Sequence, residues 1–154
     1  MEELETALAL SGQPVKRGTM AHRHIIYMML TEAAAHLRDA SALQRYALSL
    51  EELAERDEHR PYLAVAHRAC GIAHRLKGEF ARAENRLANA LELFNELEMP
   101  WQVGRTLAEI AELAQAQSDE TGARDHFSRA LSEFEALRAM PAVEQTQAAL
   151  DALA

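Results

Sequence analysis

His67, Cys70 and His74 stand three and four residues apart in the stretch 62–77. On a helix that spacing sets two imidazoles and a thiol along one face, a donor set suited to a soft or borderline metal ion. Two turns separate the histidines, about 10 Å by helical rise, so only an intervening metal and bent rotamers could join them. The competing reading buries Cys70 in the core and leaves both histidines hydrogen-bonded at a helix seam. That second reading is the expectation here, with no metal and no cofactor. His22, His24, His36, His59 and His126 share no spacing. A catalytic histidine needs a nucleophile or an orienting carboxylate within reach. The sequence has no nucleophile elbow, no phosphate-cradling Gly-rich loop and no His-Glu-x-x-His pattern. Glu51, Glu52, Glu55 and Glu58 read as a solvated face rather than a paired-acid site. The expectation is a protein that is not an enzyme.

The elements that position these residues are helices. Of the 154 residues, 49% are hydrophobic but only 5% aromatic, so Ala and Leu build the core. Strong helix formers dominate, and six Gly with four Pro are too few for a turn-rich β domain. Sixteen Lys and Arg against twenty-four Asp and Glu leave a formal charge of -8. That balance predicts no direct nucleic-acid partner and no anionic-membrane partner, since both depend on net positive surface. Cys70 is the single cysteine, so no intrachain disulfide can form and a reducing compartment is expected. The acidic start Met1-Glu2-Glu3-Leu4 is unlike a signal peptide, and the apolar run Ile25 to Leu30 is far too short to span a bilayer. A soluble, cytoplasmic chain is the expectation.

An internal repeat organises the chain. Leu91, Phe94 and Leu97 recur forty residues later as Leu131, Phe134 and Leu137. Gly71, Ala83, Leu87 and Ala90 are matched at the same step by Ala111, Ala123, Phe127 and Ala130. Pro61, Pro100 and Pro141 fall in the same phase, each where a helix would open. Each repeat reads as two helices, such as 62–77 and 80–98, with Gly78 as a left-handed stop between them. Ser118-Asp119 offers a cap to helix 120–138. The stretch 20–60 reads as a worn copy, with helices near 20–38 and 41–57, a capping box of Ser41 and Gln44, and a loose register through Leu30, Ala42, Tyr46 and Ser49. A short helix at 2–11 precedes it and a capping helix at 142–153 ends it. The predicted fold is all-α, a single domain of about eight helices in antiparallel pairs, divided as 1–19, 20–60, 61–99, 100–140 and 141–154.

The small and large positions Gly71, Ala83, Leu87 and Ala90, with their partners forty residues on, resemble the signature of the tetratricopeptide repeat. The forty-residue period resembles the lengthened variety found in sensor regions of bacterial signalling ATPases and maltose-activator-like regulators. The likeness covers 61–154 and departs at Ala111, where Gly is usual, and at His67 and His74, where large apolar residues are usual. It implies a short right-handed superhelix that binds a protein or peptide partner on its concave side. That geometry places Val65, Arg68, Ile72 and Arg75 on the groove wall, with Arg105, Ala108, Glu112 and Gln115 beside them. Arginine forks suit carboxylates, so an acidic or C-terminal peptide is one expected ligand. In the competing reading these arginines pair with neighbouring Glu. Ile72 stands where the carboxylate-clamp variety has Asn, so that activity is not implied.

Ile25, Ile26, Tyr27, Met28 and Met29 make one helix apolar on every side, which must then be buried on every side. Either helix 2–11 covers it with Leu4, Leu8 and Leu10, or it meets another protein, including a second copy in a homodimer through the N-terminal helices. The function expected from all this is a binding scaffold in a regulatory or signalling system. A small-ligand sensor and a homo-oligomeric structural subunit are the alternatives.

Overall fold

The computed structural model describes Glu3, Glu5, Thr6, Ala9 and residues 20–153, with the backbone alone at 20–22. Residues 20–153 are helical apart from short turns, in seven helices: α1 (Met20–His36), α2 (Ala40–Arg56), α3 (Arg60–Leu76), α4 (Phe80–Glu96), α5 (Pro100–Ala116), α6 (Glu120–Ala136) and α7 (Met140–Asp151). Glu3, Glu5, Thr6 and Ala9 are helical as expected for 2–11, whereas Leu4, Leu8 and Leu10 lie outside the described residues.

The helices begin at intervals of twenty residues from α1 to α7. Each of the first six ends in the same turn. The sixth residue of the turn motif donates its N–H to the first carbonyl and the fifth to the second, as in Asp39 to Ala34 and Arg38 to Ala35. This is the Schellman arrangement, repeated at all six junctions through Ala139 to Phe134 and Arg138 to Glu135. It needs a left-handed residue, supplied by Arg38, Glu58, Gly78, Glu98, Ser118 and Arg138. So tight a reversal makes successive helices antiparallel. Pro100 opens α5, and Pro61 and Pro141 are the second residues of α3 and α7, where a missing N–H costs nothing.

The capping box expected at Ser41 and Gln44 is not the device used. Asp39 caps α2, accepting from the N–H groups of Ser41 and Ala42 at 3.1 and 2.9 Å. Gln44 instead accepts from Lys77 Nζ. Asp119 caps α6 as expected, accepting from Gly122 N at 2.9 Å.

Packing follows the forty-residue phase. A Cβ added at Gly71 would lie 2.6 Å from Leu87 Cγ, so α3 approaches α4 as closely as a side-chain-free position allows. Ala83, Leu87 and Ala90 are fully buried, and Ala111, Ala123, Phe127 and Ala130 repeat the arrangement between α5 and α6. The N-terminal pair keeps this phase. Its equivalents at the forty-residue step are Thr31, Leu43, Ala47 and Leu50, all buried. The expected register through Leu30, Ala42, Tyr46 and Ser49 is therefore one residue out, because Thr31 and Leu43 replace the small residues that mark the later copies.

The residues Ile25 to Met29 of α1 divide. Ile26, Tyr27 and Met28 pack on the core, while Ile25 and Met29, one turn apart, are 41% and 46% exposed. Among the described residues, no helix is long and apolar enough to cross a membrane.

Candidate functional site

Helices α1, α3, α5 and α7 line one side of the stack. On that side α1 touches α3 and α3 touches α5, whereas α5 and α7 stand further apart. A cleft of about 260 Å³ runs over α1, α3 and α5 and continues into a wider slot of about 910 Å³ between α5 and α7. Val65, Arg68, Ile72, Arg75, Arg105 and Glu112 line the cleft, and Ala108 and Gln115 line the slot. All eight of these positions line one or other of the two adjoining cavities.

The arginines are not a bare positive stripe. Arg105 grips Glu32 with both ends of its fork, Nη1 donating to Oε1 at 3.1 Å and Nη2 to Oε2. Arg68 donates Nη2 to the same Oε1 at 3.4 Å and Nη1 to Gln102 Oε1 at 2.6 Å. Its guanidinium lies 5.3 Å over the Phe94 ring, an attractive cation–π placement. Arg75 reaches Glu109 at 2.8 Å and Glu112 at 2.7 Å. Three guanidiniums thus meet three carboxylates.

Burial shapes the electrostatics. Arg68 is 3% exposed, and desolvation with the neighbouring Arg105 pushes its pKa down to about 10, so it stays cationic at neutral pH. Glu32 titrates below the usual carboxylate range: desolvation opposes this, but the hydrogen bond and charge of Arg105 and the charge of Arg68 prevail. Glu109 goes the other way, raised by burial and by Glu112 beside it.

The floor of the slot is aromatic. Trp101 lies four residues before Arg105, hence on the same helix face, and is 43% exposed. Its ring centroid is 5.2 Å from that of Phe134, and both rings line the slot with Phe127 and Ala142. Sequence reasoning missed Trp101, Glu32 and Glu109. The signals were present: Trp101 is one turn from Arg105, and Glu32 is forty residues before Ile72.

His67, Cys70 and His74 do not converge. His67 Nδ1 accepts from Arg86 at 2.8 Å, and Arg86 also pairs with Glu51. His74 Nδ1 pairs with Glu79 Oε2 at 2.6 Å, which lowers the Glu79 pKa. Cys70 is 1% exposed, and burial pushes its thiol up to about 11, leaving it protonated and unreactive. Among the described residues, no three His, Cys, Asp or Glu side chains are placed to hold a metal ion. Glu51 is not on a wet face: its side chain is 13% exposed beneath Arg86.

The scattered histidines do include one pair. His24, His59 and Tyr62 form a ring cluster, His24 to Tyr62 at 5.0 Å and His59 to Tyr62 at 4.5 Å. His24 Nε2 is 3.3 Å from Asp57 Oδ2 without an aligned hydrogen bond. The cluster fastens α1 to the turn between α2 and α3. No protein-family model matches the chain, and no curated protein matches it either.

Proposed function

We propose that the chain is a non-enzymatic, tetratricopeptide-like binding module that captures a protein or peptide segment in its groove, as part of a regulatory or signalling system. The observation that carries this reading is the charge network along the groove, in which Arg68 is buried and its partners are partly exposed. Apolar residues would join these helices at no greater cost, because burying ion pairs forfeits hydration that their attraction only partly restores. Charged groups held in fixed geometry beside an open aromatic slot suit recognition better than cohesion. An extended segment would lay an apolar side chain against Trp101 and Phe134 and its polar groups along the Arg105 and Glu112 rim.

Peptides selected from a random display library on the native chain test this. Ala108→Arg puts a long cationic side chain into the slot from a partly buried position on its wall. Capture should fall at least tenfold while far-ultraviolet circular dichroism stays native; unchanged capture removes the groove from the function.

The slot also favours a second reading, a small-ligand sensor, because about 910 Å³ lies within the range of small-molecule sites. Trp101, the single tryptophan, would report such a ligand by its emission. Exposed Ile25 and Met29 leave self-association through α1 as an additional property, checked by light scattering at high concentration.

A further inference from the structure

The side chain of Glu32 reaches from the first pair of helices to Arg105, seventy-three positions away. There it sits as a bound oxyanion would: both oxygens in one guanidinium fork, one oxygen shared with a second guanidinium. Arg68 is held ready for that role. Gln102 and the Phe94 ring fix it from two sides, and 3% exposure leaves it little freedom. With Glu32 in place the three guanidiniums and three carboxylates balance, and swinging Glu32 out leaves a positive charge in excess. The other carboxylates nearby, Glu109 and Glu112, are engaged by Arg75. Glu32 itself is 32% exposed, so it can swing outward without crossing packed core.

We propose that Arg68 and Arg105 form an oxyanion-binding site in the groove, and that Glu32 is its internal occupant, displaced when a phosphate group binds. A phosphate group offers three acceptor oxygens to the two guanidiniums left when Glu32 swings out, one more than a carboxylate does. The cleft of about 260 Å³ admits such a group. Displacing Glu32 would also untie α1 from α5, coupling ligand capture to the curvature of the stack. This inference rests on the groove being the binding face proposed above.

Calorimetry with inorganic phosphate, at low ionic strength and neutral pH, tests it. The native chain should bind weakly, and Glu32→Gln at least tenfold more tightly. Adding Arg105→Gln to that variant should abolish the gain. Glu32→Asp keeps the charge but shortens the reach, so it should bind phosphate more tightly than the native chain by a smaller factor; it decides the matter if Glu32→Gln does not fold. Phenyl phosphate distinguishes the source: tighter binding than inorganic phosphate points to an ester whose ring enters the Trp101 slot, and equal or weaker binding to the free ion. Absence of any gain, a gain that survives Arg105→Gln, or no phosphate binding by any variant overturns the proposal. If peptide capture remains sensitive to Ala108→Arg in that event, only the oxyanion site falls and the binding module stands.

Discussion

Arg86 donates to Nδ1 of His67, so that ring nitrogen is an acceptor and the imidazole is neutral. Burial lowers its pKa below the ordinary 6.5, and the Arg86 charge adds to the effect against the pull of Glu51. A group whose folded pKa is depressed contributes stability above its unfolded pKa and loses it as pH falls through the folded value. Stability should therefore decline as pH falls below about 6.5. His126, lowered by burial and Arg129, adds to the same slope. Urea midpoints from pH 7.5 to 5 should fall for the native chain and fall less steeply for His67→Gln; identical slopes would remove His67 as a source. The histidine and cysteine spacing is visible in the chain, but Arg86 and Glu51 are not visible as its partners. They come from other helices, nineteen and sixteen residues from His67 respectively.

At the scale of elements, the left-handed turn residue explains both the regularity of the stack and a reserve of stability. Only one of the six is glycine; Glu98 holds φ 52° and Gly78 φ 75°. A left-handed L-residue costs about 1–2 kcal/mol, while glycine loses about 0.4–1 kcal/mol through the entropy of the unfolded chain. Glu98→Gly should thus raise stability by about 0.5 kcal/mol, and Gly78→Ala should lower it by a similar amount. Nothing lies within 4 Å of a Cβ added at Gly78, so its effect would be purely conformational. Equilibrium urea unfolding measures both, and a loss of stability in Glu98→Gly would contradict the account. The turn at Gly78 is legible because glycine announces it. Arg38, Glu58 and Arg138 announce nothing, and their conformation is imposed by helices that pack too closely to be joined otherwise.

At the scale of the molecule, Glu32 and Arg105 tie α1 to α5 across the cleft. Contacting charged residues couple by about 0.5–3 kcal/mol, and both side chains are about one-third exposed, which favours the lower part of that range through screening. A double-mutant cycle with Glu32→Gln and Arg105→Gln should show favourable coupling that shrinks in high salt. Strict additivity would mean the pair does not tie α1 to α5.

Sequence alone determined the helical class and the forty-residue phase. Helix periodicity and packing positions are local or regularly repeated signals, and those survive in a single chain. It left open whether the groove arginines were bare or paired, and it missed α1 as a groove wall by one residue of register. Only the tertiary structure decided those points. Side chains seventy-three positions apart meet through the accumulated geometry of five helices, and no local pattern encodes that sum.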